Sequence, residues 1–306
     1  MRLNNNQQLI TIIVPSYNHE KYIIECLSEV VKINLPKKII IIDDGSTDNT
    51  SKIVKDFIDN NKLQNIEFIE KENSGLVSSL NMGLELCQSK YIYIVASDDI
   101  PNPKGIKESI AYLEDNPSVD FFIGGGKNFF EDGKQTQIYT KKHEDFFMLH
   151  FEKRLEELFL NYPSPLLLQS TIFKTELLKK IRGWDTSLIL DDYPMFVKLL
   201  SNQNHSFIFN PLVETVLYRH HGVNRYKNIE KQFYMVCQAL DKLAPKYLKN
   251  KAIGNRLGYY SLKALFQVDI KTFVRLLSLS PVSSYPYMIQ KVFIIVYCKF
   301  KGILKK

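Results

Sequence analysis

The chain has only four cysteines in 306 residues, Cys26, Cys87, Cys237 and Cys298. No two stand at the spacing of a metal knuckle or a redox pair, so reduced thiols inside a cell are the simplest reading. No apolar run approaches the roughly 18–20 residues of a membrane-crossing helix; the longest near the C-terminus is Val292 to Cys298. The first eight residues, Met-Arg-Leu-Asn-Asn-Asn-Gln-Gln, lack the apolar segment of a secretory signal. A cytoplasmic protein is therefore expected. Thirteen glycines, 12 prolines and a 45% hydrophobic fraction exclude collagen-like, low-complexity and disordered classes. No sequence period repeats, which argues against solenoids and propellers. Neither G-x-G-x-x-G after the first strand nor G-x-x-x-x-G-K-[ST] occurs, so no glycine loop on a helix N-terminus cradles phosphate. Acid is almost absent from the end of the chain. Residues 242–306 hold 13 of the 40 Lys and Arg but one acid, Asp269, whereas residues 1–241 carry 27 bases against 32 acids. An acidic body joined to a basic tail predicts that the tail touches something anionic.

What is present is an alternation of two periods. Ile10 to Val14, Ile39 to Ile42, Ile66 to Ile69 and Tyr91 to Val95 read as buried strands. Between them, stripes such as Tyr22, Ile23, Cys26, Leu27, Val30 and Val31 recur at helical spacing. Ser46 or Thr47 is placed to cap the second helix. Strand–helix alternation with short links predicts an α/β fold with a mostly parallel sheet flanked by helices. Further strands are expected over Val119 to Gly126, ending in a glycine turn, and over Leu166 to Phe173, Phe207 to Phe209 and Val213 to Tyr218. Residues 127–150 read as a loop or lid. A helix opens at Asp191-Asp192. From about Tyr226 the pattern is helical, broken near Pro281 and Pro286. The chain thus divides into a domain over 1–225 and a basic helical extension over 226–306.

Ligands of open α/β sheets bind at the carboxyl ends of the strands. Three strands here end in polar clusters: Pro15-Ser16-Tyr17-Asn18, Asp43-Asp44-Gly45-Ser46 and Ser97-Asp98-Asp99. Each alone could be a turn or a helix cap; their convergence on one edge makes a site. Without a glycine cradle, carboxylates reach phosphate through a divalent cation, Mg²⁺ or Mn²⁺. Tyr17 offers a face for a base and Asp44 an acceptor for a base N–H or a ribose hydroxyl. Asp191-Asp192, taken alone, reads as an acid pair at a helix N-terminus. Trp184, the only tryptophan, either stacks on an acceptor sugar or anchors the core.

Several stretches together resemble a family 2 glycosyltransferase of the GT-A fold. They are Thr11 to Asn18, Ile42 to Asp48, Asn73 to Leu76 with Asn81-Met-Gly83, and Ala96 to Asp99. Gly183-Trp-Asp185, Asp191-Asp192 and Tyr218-Arg-His-His-Gly-Val-Asn224 follow in order. The resemblance spans residues 9–225. It implies that Pro15, Tyr17 and Glu20 line the nucleoside pocket, that Asp44 contacts uracil, and that Asn73 lies beside the nucleotide. It implies a DxD-type motif at Ser97, Asp98 and Asp99, facing ribose and a Mn²⁺ or Mg²⁺ ion, with His221 close to diphosphate or metal. Asp192 matches the general base of inverting members, with Asp191 beside it. Three positions depart from the common pattern: Ala96 where many members carry an acid, Leu80 where an arginine is common, and Asp191 for Glu.

The implied enzyme is a hexosyltransferase. It moves a sugar from a nucleotide-diphospho-sugar, in particular a UDP-sugar, to a saccharide acceptor in bacterial surface polysaccharide or glycan synthesis. A basic, aromatic tail suits an anionic membrane surface, which would place the enzyme at the inner face of the plasma membrane beside a polyprenyl-diphosphate-linked acceptor. No nucleic-acid-binding motif is present. Two other readings differ in sequence. A nucleotidyltransferase usually carries a basic glycine-rich first loop, absent here. A non-catalytic binding module would have no need of Asp98, Asp99 and Asp192, all of which are kept.

Overall fold

Four β-branched or aromatic runs lie side by side at the start of the sheet. The structure is a computed structural model and describes residues 8–221 and 228–303, with side chains through 299. Strands β1 (Ile10–Ser16), β2 (Lys37–Asp43), β3 (Ile66–Glu70) and β4 (Tyr91–Ile94) pair in parallel in the order β3-β2-β1-β4. Helices α1 (Ile23–Lys32), α2 (Thr50–Asn61) and α3 (Leu76–Leu86) make the crossovers. Every residue of β1 is buried, as expected of a strand covered on both faces. Tyr91 and Tyr93 are fully buried packing residues.

The chain then builds the other half of the sheet. In order come β5 (Ile100–Pro101), α4 (Pro103–Asp115), β6 (Phe121–Phe130), β7 (Gln135–Gln137), α5 (Lys141–Phe147) and α6 (Phe151–Leu160). They are followed by β8 (Thr171–Lys174), α7 (Thr175–Lys180), α8 (Asp192–Leu200) and β9 (Phe207–His220). The nine-stranded sheet continues β4-β8-β6-β9-β5, with β7 on β6. Only β5, β7 and β8 run against the other strands. The mostly parallel α/β sheet flanked by helices is as expected.

Several elements differ from expectation. Gly124, Gly125 and Gly126 are strand rather than turn: β6 runs through them beside β9, whose register shifts there. A Cβ on Gly125 would lie 1.9 Å from the Pro211 carbonyl, so the close approach of β9 demands glycine. The two expected strands of 207–218 are one strand, β9. The expected lid holds the end of β6, β7 and α5. A 3₁₀ turn over Leu168–Ser170 replaces the first half of an expected strand. Ser46 and Thr47 do not cap α2; the Asp48 carboxylate accepts from the Thr50 N–H at 2.9 Å instead.

The chain forms two compact units, one of Met1–Phe147 with Pro165–Gly222 and one of Met148–Ser164 with Val223–Lys306. The expected cut near 225 lies outside the described residues, and residues 148–164 belong with the helical unit, which a cut in sequence cannot express. That unit adds α9 (Ile229–Leu243), α10 (Lys246–Phe266), α11 (Ile270–Ser278) and α12 (Tyr285–Ile303) to α6. Its core is Ile229, Phe233, Leu257, Tyr260, Ala264 and Leu276. Pro286 does not break the pattern; it sits in the first turn of α12, where its missing N–H costs nothing. No helix among the described residues is long and apolar enough to cross a membrane.

Candidate active site

The sheet order puts β2 and β4 on either side of β1, so a crevice opens at their carboxyl ends. The loops after β1 and β2 are clipped together there. The Asn18 N–H donates to Ser46 Oγ (2.9 Å) and Asn18 Oδ1 accepts from the Thr47 N–H (2.7 Å). The Glu20 carboxylate accepts from the Asn49 backbone (3.0 Å) and side chain (2.9 Å). Asn18 adopts φ 54°, a left-handed conformation that asparagine tolerates better than most residues. Glu20, expected to line the nucleoside pocket, thus braces the loop of the second strand.

The turn after β4 is held from the far side of the sheet. Ile100 of β5 pairs with Leu217 of β9, which brings the Asp98-Asp99 turn beside residues 218–221. His221 Nε2 lies 2.9 Å from Asp98 Oδ2. His19 Nε2 lies 3.8 Å from the same oxygen, and His19 Nδ1 is 2.7 Å from Ser97 Oγ. One ligand atom each from His19, Asp98 and His221 fall within 4.8 Å of one another. Two imidazole nitrogens and a carboxylate oxygen form a donor set that fits a divalent metal. Burial pushes the Asp98 carboxyl up, but its hydrogen bond to His221 and the charge of His19 outweigh that, and its pKa lies below the ordinary carboxylate value. Tyr22 stacks on His221 with centroids 4.8 Å apart. Arg219 locks the turn: its Nε donates to the Asp98 carbonyl at 2.8 Å, and its guanidinium pairs with Glu25. His220 points elsewhere, stacked on Phe130 and 2.8 Å from Asn128 Oδ1, as side-chain alternation along a strand requires.

Asp99, expected as a metal ligand, stands apart from this trio. It is 1% exposed. Its two oxygens accept from the Arg219 N–H (2.8 Å) and Gln169 Nε2 (2.9 Å). Burial, reinforced by the Asp98 charge, pushes its pKa well above the ordinary value. Those two bonds pin the turn, and it is His19 that stands with Asp98 and His221. Asp192, at the start of α8, accepts from the Leu168 N–H at 3.0 Å. Burial, then the neighbouring Asp191 charge, push its carboxyl well up; Asp99 adds to the same effect, so the two carboxylates share one electrostatic environment. A carboxylate with a raised pKa in a polar crevice is suited to take a proton.

Asp44, expected to contact uracil, is buried and fully engaged. It accepts from the Ser74 N–H (2.9 Å) and the Gly75 N–H (2.9 Å), and Lys71 pairs with it. This draws the 71–75 loop over Gly45, where a Cβ would lie 2.9 Å from the Asn73 backbone nitrogen. Asn73 itself is exposed. Pro15 is buried, and Tyr17 is partly exposed beside it. Ser16 Oγ and Asp43 Oδ2, opposite each other in the β1–β2 register, are buried without a partner among the described residues. Trp184 is 4% exposed. Its backbone is held twice by the Asn81 side chain, at 2.9 and 3.0 Å, so it is a core anchor and offers no open face for sugar stacking. Of the downstream motif, Gly222, Val223 and Asn224 lie outside the described residues.

His19, Tyr22, Gln169 and Arg219 were not assigned roles from the sequence. Arg219 stands inside a motif and His19 directly after one, which was the available signal. Gln169 had none.

Comparison with known proteins agrees with this architecture. The profile of glycosyl transferase family 2 matches residues 11–176. Among curated relatives, the glycosyltransferase GlyG of Streptococcus pneumoniae serotype 4 is 32% identical over 135 residues, 44% of each chain. The poly(ribitol-phosphate) beta-N-acetylglucosaminyltransferase TarS of Staphylococcus aureus strain Mu50 is 33% identical over 112 residues, 35% of this chain and 19% of that one. The match thus spans less than half the length of either relative. The crystal structure of S. aureus TarS 1-349 with UDP-GlcNAc superposes with a TM-score of 0.62 at 19% identity, over 93% of this chain and 84% of that one. The mannosyltransferase PcManGT of Pyrobaculum calidifontis, solved with GDP-Man and Mn²⁺, gives 0.57 at 17% identity, over 97% and 83%. At these identities the likeness is one of fold. With a family profile covering more than half the chain, and a sheet of the same fold with carboxylates at its switch point, the chain belongs to glycosyl transferase family 2.

Proposed function

We propose that the protein moves a sugar, with inversion, from a UDP-sugar to a hydroxyl of a saccharide acceptor in surface glycan synthesis. The observation that carries this is the trio His19, Asp98 and His221 at the switch point of the sheet, with Asp192 near enough that the Asp99 charge adds to its raised pKa. The TarS structures with UDP-GlcNAc and UDP support a uridine donor. A divalent ion held by the trio would neutralise charge developing on the departing diphosphate. Two imidazoles and one carboxylate favour Mn²⁺ over Mg²⁺, which prefers all-oxygen ligands.

The chain's own residues do the rest. Tyr17 supplies a face for the uracil beside the loop that Asp44 holds. Asp99 and Arg219 keep Asp98 aimed into the crevice. Asp192 takes the proton from the acceptor hydroxyl as its oxygen attacks the anomeric carbon and the nucleoside diphosphate leaves from the opposite face. Asp191 tunes that base through its charge. The basic tail supports an acceptor presented at an anionic membrane surface on the cytoplasmic side, such as a polyprenyl-diphosphate saccharide.

Calorimetry with a panel of nucleotide-sugars, with and without Mn²⁺, tests this reading. One UDP-sugar should bind in a Mn²⁺-dependent way, lose that dependence in Asp98→Ala, and bind Mn²⁺ at least about tenfold more weakly in His19→Ala. Folded wild-type protein that binds no nucleotide-sugar under any condition overturns it.

A further inference from the structure

We propose that the helical unit inserts one end into an anionic lipid bilayer: the corner where α10 finishes, α11 begins and the last turns of α12 lie alongside. Close packing sets this geometry. Gly254 of α10 faces Ser284 and Tyr287, and Gly258 faces Met288 and Lys291, so α10 and α12 run in the same direction. Their far ends meet where Lys299 Nζ sits 4.3 Å from the Phe266 ring centroid. The chain turns there into α11.

The corner is apolar and open. Phe266, Val268 and Ile270 are 66%, 81% and 55% exposed. Val274, one turn along α11 from Ile270, is also exposed, while Phe273, Leu276 and Leu277 of the same helix pack into the unit's core. The apolar residues of α11 thus form one face, opposite Lys271, Thr272, Arg275 and Ser278, and the unit's core covers only part of it. Val268 is the sharpest sign. It is β-branched, holds φ 58° and makes up none of that strain by packing. Strain retained at an exposed apolar tip points to use outside the fold.

Charge selects the partner. Lys263, Lys271 and Lys299 lie at this end, and the one acid of residues 242–306, Asp269, caps α11 by accepting from the Thr272 N–H at 2.9 Å. Apolar side chains among lysines match the boundary of acyl chains and anionic headgroups. A symmetric contact with a second copy would instead set these lysines against each other. The sequence placed membrane contact in the last helix. The first half of α12 packs on α10, Phe293, Ile294 and Tyr297 of its second half stay exposed, and the corner adds the end of α10 and the start of α11 to that surface.

The inference deepens the reading of a membrane-borne acceptor, but its test needs neither donor nor acceptor. Full-length protein is sedimented with phosphatidylcholine vesicles, with and without about one-third phosphatidylglycerol, at low and high salt. Wild type should bind the anionic vesicles in a salt-sensitive way. Phe266→Ser/Val268→Asn/Ile270→Ser and Lys271→Gln/Lys299→Gln should each bind at least about tenfold more weakly. Val268→Asn alone controls for folding: asparagine suits the left-handed backbone, so this variant should melt no lower than wild type and still bind more weakly. Wild type that ignores anionic vesicles overturns the proposal. So does a triple variant that binds like wild type, or a dimer in light scattering that forms through this corner in place of vesicle binding. Vesicle binding that persists in a protein without nucleotide-sugar binding leaves this inference standing and removes the transferase reading.

Discussion

Asp98 and Asp99 are adjacent carboxylates with opposite surroundings. Asp98 faces two histidines and is held below the ordinary carboxylate pKa. Asp99 is buried under Gln169 and Arg219 and pushed above it. A pair this close cannot ionise as two independent groups, and the sheet resolves the conflict by separating their environments. Asp192 carries a further prediction. Its raised pKa means that this carboxylate, the base proposed above, is ionised only above a pH higher than an ordinary carboxylate needs. Activity should therefore fall on the acid side at a correspondingly higher pH. Asp191→Asn, which removes one cause of the shift, should move that acid limb to lower pH in a rate profile of kcat/KM. An unmoved limb would deny Asp191 its tuning role. Linkage gives a second readout. Because the folded pKa is raised, the stabilising contribution of Asp192 is full below its unfolded value and is lost as pH rises through the folded one. Asp192→Asn should thus be inactive yet more stable than wild type at neutral pH in urea denaturation, a trade familiar at catalytic sites.

At the scale of elements, the sheet edge is made by close approaches that only glycine permits. Gly105 lies in the first turn of α4, a helix well capped by the Asn102 side chain. Alanine there would gain about 1 kcal/mol of helix propensity. Its Cβ would, however, meet the Glu214 carbonyl of β9 at 1.9 Å. Backbone cannot yield as a side-chain tip can, so the sign reverses, and Gly105→Ala should destabilise by roughly 1–3 kcal/mol. A urea midpoint equal to or above that of wild type would show that α4 can slide on β9. The same register matters to the site, because β5 and β9 together set the Asp98-Asp99 turn beside His221. The strands β1 to β4 were legible from their β-branched runs, and the polar clusters at their ends from the abrupt change in composition. The glycines of β6 were not, since in sequence three successive glycines look like a turn. The parallel partner that makes them strand, Asn210 to Val216 of β9, is far away in sequence.

For the whole molecule, the basic tail was legible from charge alone, and the helical extension from its period. The membership of α6 was not. Its buried Leu158, Phe159 and Leu160 lie in the helical unit, where Asn255 of α10 donates to the Leu160 carbonyl at 3.1 Å. Truncation after residue 225 should therefore leave an apolar helix uncovered. The truncated protein is expected to bind a hydrophobic dye and to aggregate, whereas full-length protein should do neither. A monodisperse, dye-silent fragment in light scattering would argue that α6 is covered without α10.

Local sequence determined the strands, the helices that join them and the end of the sheet at which chemistry gathers. Side-chain period and turn residues are local properties, and right-handed crossovers leave little freedom in how such units stack. The order of motifs determined the family. Only the tertiary structure decided which side chains share the site. His19 and Asp98 are 79 residues apart and Asp98 and His221 are 123 apart, and they meet because β1, β4 and β9 end at one edge. Asp99 turns inward because β9 offers it a backbone N–H, and Trp184 is buried because Asn81 grips its main chain. Those choices depend on registers between distant strands, and no stretch of sequence contains both sides of such a contact.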